Sequence, residues 1–116
     1  MITPAQIMDG MAEKNRKLTD LNEDYIDFVE KRAQAERDYN IAVAKKTLEY
    51  KSDGQSITII GTLVKGDKAV ADLKLKMDVA EGMAKVCLLK IKEVTSAIDT
   101  YRSLLAWQKA ELLRTE

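Results

Sequence analysis

The apolar positions of this chain form two long runs in which steps of three and four residues alternate. The clearer run is Val70, Leu73, Met77, Ala80, Ala84, Cys87, Ile91, Val94, Ile98, Tyr101, Leu105, Gln108 and Leu112. The alternation never slips, and only Gln108 is polar. Such a heptad seam marks a long helix packed along its length against another helix. The other run is Ile7, Met11, Lys14, Leu18, Leu21, Tyr25, Phe28, Arg32, Ala35, Tyr39, Ala42 and Lys46. Lys14, Arg32 and Lys46 interrupt it. Their stems can lie along apolar surface while their heads reach water; pairing with a carboxylate that sets register is the alternative.

Local signals give the helix ends. Thr3 is a good N-cap, Pro4 suits the first helical position, and Gln6 completes a capping box. Ile2 and Ile7 stand where a hydrophobic staple would place them. The first helix is therefore expected over 4–51, stopped by Ser52-Asp53-Gly54. Asp67 caps a second helix expected over 67–114. The connector, 52–66, is apolar for a loop, with Ile57, Ile59, Ile60, Leu63 and Val64. Spacing suits a short helix capped by Thr58 and stopped by Gly66. Propensity suits two extended segments, Ser56–Ile60 and Thr62–Lys65, with Gly61 between them. Either way these side chains are expected to be buried as a plug. The fold class expected is all-α: an antiparallel two-helix coiled-coil hairpin with a short apolar connector, one domain over 1–116, assembling into a helical bundle.

The second helix carries more apolar surface than one neighbour covers. Leu75, Val79, Val86, Leu88 and Leu89 lie outside its seam, and from Met83 to Ile91 only Lys85 and Lys90 are polar. A helix apolar nearly all round belongs in an interior. Leu75, Val79, Met83, Val86, Leu88 and Leu89 are thus the expected interface of a homo-oligomer, most simply a dimer forming a four-helix bundle. Gly82 beside them would let another backbone approach closely.

Composition agrees with long helices and narrows the chemistry. Of 116 residues 33% are charged and 5% aromatic, with a single proline. Net charge is zero, so no overall field steers the protein to nucleic acid or membrane. Ten lysines and six carboxylates fall within residues 42–92, which makes the turn end basic. Lys65, Lys68, Lys74 and Lys76 are its candidate anion contacts, against the plainer reading of a solvated mixture of charges. There is no histidine, which removes the commonest general base and the usual zinc and Ser-His motifs. No Gly-rich phosphate cradle occurs. The lone cysteine, Cys87, falls on the seam and reads as a small buried hydrophobe. Asp20, Glu23, Asp24 and Asp27 share one face, as a solvated acidic patch or as carboxylate ligands lacking the histidine partners of di-iron bundles. Trp107 is expected to pack at the core or rim, or else to anchor a partner. No catalytic residue, cofactor or metal is expected. The N-terminus lacks a signal-peptide pattern, and no apolar run approaches a membrane span, so a cytoplasmic protein is expected.

Two stretches carry a resemblance. Ile57 to Leu73, followed by Asp78-Val79-Ala80-Glu81, resembles a family of small uncharacterised proteins from bacteriophages of Gram-positive hosts. Tyr101-Arg102-Ser103-Leu104-Leu105-Ala106-Trp107-Gln108 looks like their C-terminal signature. The resemblance covers roughly the second half of the chain. It implies an early gene near single-strand annealing and replication functions, and no catalytic residues. A non-enzymatic binding or accessory protein follows from it, serving phage DNA replication or recombination or modulating a host protein. Its partners would be a second copy of itself and a further protein, with nucleic acid as the weaker candidate. In outline, helix, short apolar connector and helix is also similar to beta-type prefoldin, with Gly61-Thr62-Leu63-Val64 as the matching connector, which implies a chaperone.

Overall fold

The computed structural model describes residues 2–115; Met1 and Glu116 lie outside them. Three helices follow in order, α1 (Pro4–Ser52), α2 (Ile57–Gly66) and α3 (Lys68–Thr115), with no strand among the described residues. The fold is all-α, and its long helices carry the seams that the spacing predicts. Every seam position of α1 is buried or half-buried, the interrupting Lys14, Arg32 and Lys46 included. On α3 the same holds from Val70 to Gln108, and only Leu112 stands open, at 63% exposure.

The helix ends follow from local chemistry. At the start of α1 the Gln6 backbone N–H donates to Thr3 Oγ1 (3.1 Å) and the Thr3 N–H to Gln6 Oε1 (2.8 Å), a reciprocal capping box. At its end the Gln55 N–H donates to the Tyr50 carbonyl (3.0 Å) and the Gly54 N–H to that of Lys51 (3.1 Å). This is a Schellman motif, and Gly54 takes its left-handed position at φ 81°. The Val70 N–H donates to Asp67 Oδ2 (3.1 Å), so Asp67 is the N-cap of α3 and its first helical residue is Lys68.

The connector is helical, and the extended alternative for Ser56–Ile60 and Thr62–Lys65 does not occur. Ser56, not Thr58, is the N-cap: its hydroxyl accepts from the Thr58 N–H. Once that cap starts the helix, the four-residue step from Ile60 to Val64 puts both on one face, and both are buried. Ile59 lies outside that face, 44% exposed, and Ile57, in line with the face but at the first residue of the helix, is 83% exposed, so the plug is narrower than the composition suggested.

The chain divides into two compact units. One unit combines the chain up to Tyr25 with the chain from Val86 onward; the other is Ile26–Lys85. In the first, Gln108 Nε2 donates to the Ile2 carbonyl (2.8 Å), Tyr101 lies against Gly10, and Cys87 Sγ donates to the Leu21 carbonyl (3.2 Å). Positions rise on α1 as they fall on α3, so the two segments pack antiparallel. Ile7, Cys87, Val94 and Ile98 are its buried side chains. In the second unit Ile60, Val64 and Val70 form the core, packed on Tyr39, Ala42, Val43 and Tyr50. Lys46 bridges its elements, reaching Asp67 at 3.5 Å and Glu49 at 3.0 Å. Pairing of an interrupting cation with a carboxylate beyond its own helix thus occurs at Lys46. Arg32 pairs within α1, with Glu36 at 2.9 Å.

Candidate interaction surface

An α-helix advances about 100° per residue, which fixes the face each side chain occupies. On α3 the seam takes one face. Leu75, Val79, Val86 and Leu89 stand about 160° round from it, on the outer face, at exposures of 62%, 55%, 50% and 63%. Gly82 lies in line with them and is also exposed. Continuing the same three-and-four step along α3 gives Glu93, Ser96, Thr100, Ser103, Trp107 and Ala110, all exposed. From Leu75 to Ala110 this outer stripe carries one charge, Glu93, on a helix that is otherwise densely charged. A solvated helix face is normally the charged one, so an exposed stripe in heptad phase with a single charge has the pattern of a helix-packing seam.

The six residues expected at an interface therefore do not all come together. Leu75, Val79, Val86 and Leu89 share the outer stripe. Met83 flanks it, about 80° away, and lines a groove between α1 and α3 with Phe28, Lys31, Ala35, Lys76 and Val79. Leu88 lies about 140° from the stripe, beside the inner seam, where it is 38% exposed.

The candidate anion contacts do not converge either. Lys68, Lys74 and Lys76 fan over about 200° of α3, and Lys65 lies in the last turn of α2. Lys74 Nζ donates to both carboxylate oxygens of Asp78 (2.9 and 3.1 Å), and Lys68 lies 3.5 Å from Asp72. The hydrogen bond to Asp78 holds the Lys74 ammonium above its ordinary pKa. Carboxylates one turn away thus offset two of the four charges, and no cradle for a phosphate forms. Among the described residues no cluster of three or more acidic or thiol side chains is arranged to hold a metal ion, and Asp27 of the acidic face is paired with Lys31 at 2.9 Å.

Trp107 departs from the core or rim placement expected of it. It is 59% exposed and borders an open recess with Ile2, Pro4 and Gln108. The heptad phase shared by the outer stripe was in the sequence from the start. The inner seam, with its longer run of apolar residues, masks it until each face of α3 is followed separately. Among the described residues no helix is long and apolar enough to cross a membrane. No protein-family model, curated protein or solved structure matches this chain.

Proposed function

We propose that this chain is a non-enzymatic protein that acts by binding: it self-associates through the outer stripe of α3 and presents the assembled helices to a protein partner in the cytoplasm. The observation that carries this reading is the exposed stripe from Leu75 to Leu89, apolar and in heptad phase. Bundle formation covers it as the inner seam is covered. The absence of histidine from the sequence and the placement of its one thiol inside the fold favour binding over catalysis. The scattered and partly neutralised lysines favour a protein over a nucleic acid as the further partner. The likeness of Ile57–Leu73 and Tyr101–Gln108 to small phage proteins supplies the setting, an accessory role in phage DNA replication or recombination or the modulation of a host protein.

Sedimentation at micromolar concentration tests the self-association, and a stable monomer rejects it. A tagged pull-down from host lysate, split into nuclease-treated and untreated halves, tests the partner class. A protein retained after nuclease supports the reading; loss of every partner with nuclease moves the function to nucleic acid and to Lys65, Lys68, Lys74 and Lys76. The prefoldin-like chaperone alternative has less support, because its connector would be a β-hairpin and this one is helix α2. Failure to suppress aggregation of an unfolded client at molar excess would remove it.

A further inference from the structure

Leu75, Val79, Gly82, Val86 and Leu89 follow one another at steps of four, three, four and three residues, and the residue types read the same in both directions. A two-fold contact needs a surface complementary to itself. Leu75 and Leu89 each stand seven residues from Gly82, and Val79 and Val86 three and four, so the stripe meets that need to within one residue with a second copy of α3 running the opposite way. Its centre is Gly82. Nothing lies within 4 Å of the place its Cβ would take, so no contact inside the chain calls for glycine there. Glycine in mid-helix weakens a helix relative to alanine, and its usual compensation is close approach of another backbone.

Resting on the self-association proposed above, we infer that two copies dock α3 against α3 antiparallel, crossing at Gly82. Leu75 of each copy lies over Leu89 of the other, and Val79 over Val86. The charges select this direction. Asp78 and Lys85 are exposed on the same flank of the stripe. In the antiparallel crossing Asp78 of one copy faces Lys85 of the other, twice over. In a parallel pairing Lys85 of one copy would face Lys90 of the other, like against like. On the other flank Lys76 of one copy nears Lys90 of the other, so like charges meet in either direction and only the antiparallel crossing adds the opposite-charge pair.

Cross-linking between singly substituted chains tests the direction. In a Cys87→Ala background, chains carrying Leu75→Cys are mixed with chains carrying Leu89→Cys and oxidised mildly. The expected product joins one of each kind, with neither kind linked to itself. In parallel, Gly82→Leu is expected to raise the dimer dissociation constant on the order of tenfold or more, with the helical circular dichroism of the chain retained. A dimer whose Leu75→Cys chains link only to one another, or that is unmoved by Gly82→Leu, overturns the crossing and leaves self-association standing. A parent chain that sediments as a monomer overturns both.

Discussion

Gly10 and Tyr101 share one space: a Cβ on Gly10 would stand 2.7 Å from both Cζ and the hydroxyl oxygen of Tyr101. The glycine is what lets the phenol ring cross α1 at that level. Gly10→Ala is therefore expected to destabilise the protein by about 1–3 kcal/mol through overpacking, although alanine is the better helix former. In a Tyr101→Ala background the ring is gone, and the same change should stabilise by about 1 kcal/mol. Urea denaturation of the four chains checks the reversal of sign; parallel effects in both backgrounds would rule out the shared space.

Asp67 has two duties, capping α3 through the Val70 N–H and receiving Lys46. Asp67→Ala should cost about 1 kcal/mol from the cap alone. Lys46→Met should cost less, since an ion pair in reach of solvent contributes little. The hydrogen bond to Glu49, and then the charge of Asp67, raise the Lys46 pKa above 10.5. A raised pKa gives stability that is complete below the unfolded value and is lost as pH climbs through the folded one. The small gap in melting temperature between parent and Lys46→Met is thus expected to be steady through mildly alkaline pH and to close above 10.5. A gap that closes below that pH would contradict the assignment.

Helix α2 is held by one face. Ile60→Ala removes a side chain that is 5% exposed and packed with Val64 and Val70, and should cost about 2–4 kcal/mol. Ile57, 83% exposed, should tolerate serine with a change within about 0.5 kcal/mol. Thermal melts of the two variants should differ widely; similar melts would place both isoleucines in the same environment.

Gly54 and Gly61 should respond in opposite directions to alanine. Gly54 has φ 81°, where a Cβ is strained, and Gly54→Ala should destabilise by about 1 kcal/mol. Gly61 lies inside α2 with open space at its Cβ, and Gly61→Ala should stabilise by about 0.5–1 kcal/mol. Chemical denaturation reads both, and a stabilising Gly54→Ala would exclude the Schellman geometry.

These contrasts also mark how far the chain was legible as a sequence. Seams, the Thr3–Gln6 box, the Gly54 stop and the Asp67 cap depend on residues close in the chain, so spacing exposes them. The connector read as a short helix or as two extended segments, because β-branched residues there suit both, and Ser56 gave no sign that it, and not Thr58, caps the helix. The closeness of Gly10 to Tyr101 spans most of the chain, and a lone glycine in a helical run gives no sign of which ring it admits. The same holds for Lys46, whose partner Asp67 reads from sequence only as a cap. At the candidate surface, spacing located Leu75, Val79, Val86 and Leu89, while grouping by apolarity alone brought in Leu88, which belongs to another face.

The hydrogen bond from Cys87 to the Leu21 carbonyl gives the molecule a clock. Cys87 is the chain's single cysteine and is 4% exposed. An alkylating reagent reaches it only when α1 and α3 part at that level, so every modification event counts one opening. Because the chain has no other thiol, the labelling rate of the purified protein needs no site assignment. Whatever binds the outer stripe of α3 and tightens the helix pair behind it will slow that clock without touching the sulfur.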